Sequence, residues 1–358
     1  MKESKRLEML YKADWDLCAQ RYEAFWACEI IDRPIVQVFA PKRPNLPKGW
    51  WRILDESVWA DPEPVVGEML TLFEGIHFAG DAYPMWYPNL GPGTLTACLG
   101  NPIRFDVEHD TSWQDHSIEN LQTWEPYLDP ENPVWLATLR LTKRISECAK
   151  NKFVCGIADL GMGIDLLANV RGPDGLCLDL MDDPKTVVTR LADLRKIWEQ
   201  CYQSLYDLFP IGNGSNCWMP AWALRKSYPL QGDFTCMISP DMFAEIVLPD
   251  LQEYCRWLDY PVYHLDGPGA LKHLDLILSM PELRAVQWTA GTGQPPMPYW
   301  IPMLRQIQKA GKGLFLYVTP EDVEQLMAEL RPEGVILNMW ASNPADADAL
   351  VDKVALWR

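Results

Sequence analysis

His264 and Asp266 stand two residues apart in Tyr263-His-Leu-Asp-Gly-Pro-Gly269. In an extended segment, residues two apart point to the same side, so an imidazole and a carboxylate are presented together. Such a pair could act as general acid and base, or as two ligands of a metal ion. Asp159 stands before a glycine turn in the same way, in Asp159-Leu-Gly-Met-Gly163, and is a third candidate catalytic group. Asp233 offers a further carboxylate to a substrate, and Gln287 an amide. The chain has 17 tryptophans. Trp86, Trp218, Trp222, Trp288 and Trp340 fall near expected strand ends or in a Pro- and Trp-rich stretch, where together they could line a flat apolar pocket. Each feature also has a plainer reading: a His–Asp pair bridging a loop, an Asp starting a helix, a Trp packing in the core.

The elements that would position these groups follow from the pattern of apolar runs and breakers. Strands are expected at 34–40, 152–158, 217–223, 234–238, 261–264, 284–288, 313–318 and 334–340. Helices are expected near the N-terminus and at 185–208, 239–258, 270–278 and 300–310, with a final helix opened by Asn343-Pro344. Thr319-Pro320 reads as a helix start, with Thr319 as N-cap. Strand–helix units in succession indicate a parallel sheet. The count favours an α/β fold of the TIM-barrel type, (β/α)8, with an N-terminal helical extension and a Pro/Trp-rich insertion at 41–130. All of residues 1–358 would then form one domain. In such a barrel the C-terminal ends of the strands face the active site, and His264, Asp266, Gln287 and Trp340 all fall there.

Composition narrows the function. Lys and Arg total 32 against 49 Asp and Glu, a net charge of −17. That charge argues against nucleic acid or an anionic membrane as partner. No run of about 18 apolar residues suggests a membrane span, and the charged N-terminus lacks the apolar core of a signal peptide. The ten cysteines are scattered without a Cys-x-x-Cys pair, so they read as free thiols of a cytoplasmic protein. No Gly-x-Ser-x-Gly elbow, His-Glu-x-x-His or glycine-rich phosphate turn is present.

The stretch 239–293 resembles the uroporphyrinogen decarboxylase superfamily, in particular its methyltransferase-like branch. The residues that carry the resemblance are Ser239-Pro-Asp-Met-Phe-Ala-Glu-Ile-Val-Leu-Pro249, His264-Leu-Asp-Gly267, His273-Leu-Asp275 and Val286-Gln-Trp-Thr-Ala-Gly291. The stretch 81–100 and Arg171-Gly172 with Asp179 are similar too. The resemblance implies a barrel and one of two reactions: porphyrinogen decarboxylation, or methyl transfer to or from a corrinoid protein or a coenzyme. The decarboxylase's arginine-rich motif is replaced here by Val36-Gln-Val-Phe-Ala-Pro-Lys-Arg43, which points away from a polyanionic substrate. The zinc methyltransferases carry His-x-Cys and a later Cys, where this chain has His264-x-Asp266 and Met339-Trp-Ala-Ser342.

The expectation is therefore a corrinoid-dependent methyltransferase. It would take a methyl group from a small O- or N-methylated substrate and pass it to cobalamin on a partner protein. His264 and Asp266 would act directly or through Zn2+, and the chain could pair as a homodimer. The rivals are a metal-free decarboxylase or lyase using the same groups, and a barrel that only binds a corrinoid or tetrapyrrole.

Overall fold

The computed structural model describes residues 9–358. Seven strands form one sheet, in the order Ile76–Gly80, Ile35–Pro41, Val335–Trp340, Gly313–Tyr317, Ala285–Thr289, Tyr260–Asp266 and Ser227–Leu230. The first pair is antiparallel and every other neighbouring pair is parallel. Helices follow the parallel strands and cover them, which is why Leu314, Phe315, Leu316, Ile336 and Leu337 are all buried although they alternate between the two faces.

The sheet does not close by hydrogen bonding among the described residues, so the closed TIM barrel of the sequence reading is corrected to an open α/β sheet. Met85–Trp86 and Val154–Cys155 make a separate parallel pair. Where a further rung is expected, at 217–223, the chain makes one bridge between Ser215 and Ala223 and one bond from the Ile157 amide to the Asn216 carbonyl. Pro220 in that stretch has no amide to give a ladder. The strand expected at 234–238 is a 3-10 turn, Asp233–Met237, because the Asp165 carboxylate takes its first two amides. The strand Ser227–Leu230 escapes the sequence reading because it contains Pro229, which a strand at the sheet edge accommodates.

Caps set the helix starts. Asp183, Ser239 and Asn343 accept the amides of Thr186, Met242 and Asp346, as N-caps do. Thr319 is not a cap: the helix begins at Val323, and Asp322 instead accepts the Thr319 amide at 2.9 Å. Residues 41–130 include the helix Glu63–Gly75, the sheet strand Ile76–Gly80 and a hairpin, Ile103–Asp106 with Thr111–Gln114.

One buried ionic knot ties the N-terminal helix, Trp15–Trp26, to the first strands. Asp81 is fully buried and accepts from Arg21 at 3.0 Å, from Arg33, and from the Val36 amide at 3.1 Å. Above the knot, Gln37 bonds Tyr22, the Pro220 carbonyl and Asn338, so the polar side chains inside the sheet are satisfied by one another. Replacing Asp81 by Ala would strip the buried Arg33 of its counter-charge and leave Arg21 paired to the more exposed Asp32. The expected loss is about 3–5 kcal/mol of stability, measured by urea unfolding, against a small effect for the exposed Asp32→Ala.

Candidate functional site

Strand alternation assembles the site. In the parallel register His264 lies beside Gln287, and Asp266 beside Thr289. These four side chains therefore share one face, while Leu265 and Trp288 share the other. The neighbouring strand, Ser227–Leu230, leads into the turn that brings Asp233 to the same place. One ligand atom from each of Asp233, His264 and Asp266 lies within 4.8 Å of the others.

His264 is oriented from behind and from the side. Its Nδ1 meets the Gln287 Oε1, and Gln287 Nε2 donates to Thr289 Oγ1 at 2.7 Å. An amide carbonyl accepts, so Nδ1 is the donor and Nε2 is the ring nitrogen turned away from Gln287. The Trp218 indole stands edge-on to the imidazole, 5.1 Å between ring centres.

The charges around the imidazole are mostly negative. Asp159 accepts from the Tyr228 hydroxyl at 3.2 Å and from the Gly161 amide at 3.2 Å. Burial nevertheless pushes its carboxyl up to about 6. Burial also raises Asp165, with the Asp233 charge adding to it. Asp233 is raised by burial, His264 opposing and Asp266 adding. Among the described residues, none of Asp159, Asp165, Asp233 and Asp266 forms an ion pair with Lys or Arg. Two carboxylates and one imidazole nitrogen within reach of a single point make a donor set suited to a divalent cation. No thiol joins it. Cys217 is fully enclosed, and burial holds its thiol well above the ordinary range.

The remaining candidates are placed as follows. Trp218 lies at the imidazole, as described. Trp340 is at the end of its strand and half-exposed, stacked near Trp50 at 6.2 Å and beside Phe39 at 5.4 Å. Trp288 is buried on the opposite face, 4.9 Å from Trp300, so alternation turns it away from His264. Trp222 is buried against Trp15 at 5.2 Å and donates to the Asn213 carbonyl at 2.8 Å. Trp86 is buried, 6.4 Å from Phe153. None of the last three is brought to the Asp233–His264–Asp266 group. Asp165, Thr289 and Tyr228 were not legible as site residues; Asp165 reads only as an acid in a helix first turn.

No protein-family model matches the chain, and no curated protein matches its sequence. Solved structures speak to the fold. A methyltransferase from Methanosarcina mazei superposes with a TM-score of 0.62 at 11% identity, covering 94% of this chain and 98% of that one. The likeness extends over nearly the whole of both chains, and at that identity it establishes a shared α/β fold. No helix among the described residues is long and apolar enough to cross a membrane.

The raised Asp159 has a sign that can be checked. Its folded value of about 6 lies above the model-peptide value of about 3.9. Between those values the folded chain holds a proton that the unfolded chain has lost, so this residue lowers stability as pH rises from about 4 to 6. Urea unfolding at both pH values is expected to show a smaller fall for Asp159→Asn than for the wild type.

Proposed function

We propose that the chain is a methyltransferase that takes a methyl group from a small O- or N-methylated compound and passes it to the corrinoid (cobalamin) of a partner protein. The observation that carries this reading is the Asp233–His264–Asp266 group, set at strand ends in a fold shared with a methyltransferase. The superfamily resemblance of 239–293 supports it.

Demethylation breaks a carbon–oxygen or carbon–nitrogen bond. The leaving heteroatom keeps the electron pair and needs a proton or a Lewis acid. Asp233, His264 and Asp266 are the residues that would hold a divalent ion, Zn2+ first, and a bound ion would supply that Lewis acid. Gln287 fixes the His264 tautomer and Thr289 fixes Gln287. Trp218 packs on the imidazole and keeps water from that side. Burial raises the Asp159 carboxyl to about 6, so it can hold a proton at a pH where an ordinary carboxylate has lost it. Trp340 with Trp50 forms an apolar wall at the strand ends, against which the partner's cofactor would rest.

The raised Asp159 also favours a second reading. A metal-free decarboxylase or lyase could use Asp159 as acid and His264 as base on the same substrate face.

Metal analysis separates the two. Purified wild type is expected to hold about one zinc per chain, lost in His264→Ala and Asp266→Asn. Gln287→Leu should weaken metal affinity by about 10–100-fold, as loss of a supporting hydrogen bond usually does. A screen of methylated ethers and amines with cob(I)alamin should yield methylcobalamin by absorbance. Zinc-free protein that forms no methylcobalamin with any of them would contradict the proposal.

A further inference from the structure

The turn that carries Asp233 is clamped at several points. Asp165 Oδ2 accepts the Asp233 amide at 3.0 Å, and Oδ1 accepts the Phe234 amide at 2.9 Å. Further along, His273 donates from Nε2 to the Thr235 carbonyl at 2.9 Å, and Lys272 donates to the Cys236 carbonyl at 2.7 Å. Both of these donors belong to the turn Pro268–His273, which follows Asp266 directly. The backbone bearing Asp233 is thus tied to the helix Gly163–Arg171 on one side and to the segment after Asp266 on the other.

The Asp165 end of the clamp has a chemistry that few residues supply. Two successive amides are satisfied by the two oxygens of one carboxylate. An asparagine has one acceptor and would turn its NH2 toward the second amide. A serine or threonine hydroxyl would serve one amide only. A carboxylate at this place adds like charge beside Asp233, which repulsion makes costly. A clamp needed only to hold a turn would avoid that cost with a neutral cap. We infer that Asp165 is a positioning residue: by taking the Asp233 and Phe234 amides it aims the Asp233 carboxylate at His264 and Asp266 and completes the cation-binding set. The inference rests on the metal-binding reading of the site.

Cobalt titration of the full chain, followed by visible absorption, tests it. Wild type is expected to bind one Co2+ per chain with a spectrum that Asp233→Ala alters. D165N, isosteric with the wild type, is expected to bind cobalt about 10–100-fold more weakly, with a changed spectrum. Lys312→Met is the stability control, since that buried ammonium bonds the Met280 and Leu283 carbonyls before the strands Ala285–Thr289 and Gly313–Tyr317 begin, at the end opposite to the ligands. It should lower Tm and leave cobalt affinity and spectrum unchanged. If D165N does not fold, Asp165→Ser, with one acceptor oxygen, takes its place and the same weakening is expected. A folded Asp165 variant with wild-type affinity and spectrum overturns the positioning role and leaves the metal site standing. Wild-type protein that binds no cobalt overturns both.

Discussion

Four carboxyl groups lie near one another, two of them within reach of one imidazole, and the rest of the site is arranged to bear the repulsion that follows. Asp159, Asp165, Asp233 and Asp266 cannot all be charged at close range without compensation. The protein compensates with neutral donors. The Tyr228 hydroxyl and the Gly161 amide serve Asp159, and two backbone amides serve Asp165. What remains is a local excess of acidic groups at Asp233 and Asp266, beside His264. A divalent cation relieves that excess directly.

The scaffold makes the convergence possible because parallel strands in register keep equivalent side chains on one face. His264, Gln287 and Thr289 meet for that reason alone. Rigidity comes from elsewhere. The Arg21–Asp81–Arg33 knot fixes the N-terminal helix to the first strand, and Gln37 carries the connection on to Asn338 in the adjacent strand. The site sits further along the same sheet, with its one loop-borne member, Asp233, held by a clamp of its own.

His264 and Asp266 were readable from the sequence because a two-residue spacing before Gly-Pro-Gly means the same face in any strand. Gln287 was readable as a strand-end polar group, although its amide is spent on His264 and Thr289. Trp288 was misplaced for the same physical reason that placed its neighbour: alternation that sends Gln287 inward sends Trp288 outward. Trp222 gave no sign that the N-terminal helix would cover it. Asp165 could not be read at all, since its partners are amides 68 and 69 residues away and its own surroundings look like a helix start. The parallel α/β class followed from the order of apolar runs. Closure did not, because it depends on hydrogen bonds across irregular segments such as 213–223, where Pro220 and side-chain bonds from Asn213 replace a ladder.

We propose that Asp233, His264 and Asp266 hold one divalent ion. Diffraction from crystals grown with zinc, collected on both sides of the zinc absorption edge, tests it most directly. One strong anomalous peak is expected in contact with all three side chains, on the side of His264 away from Gln287. Crystals that diffract well and show no peak there, or a zinc bound only by surface carboxylates, would contradict it.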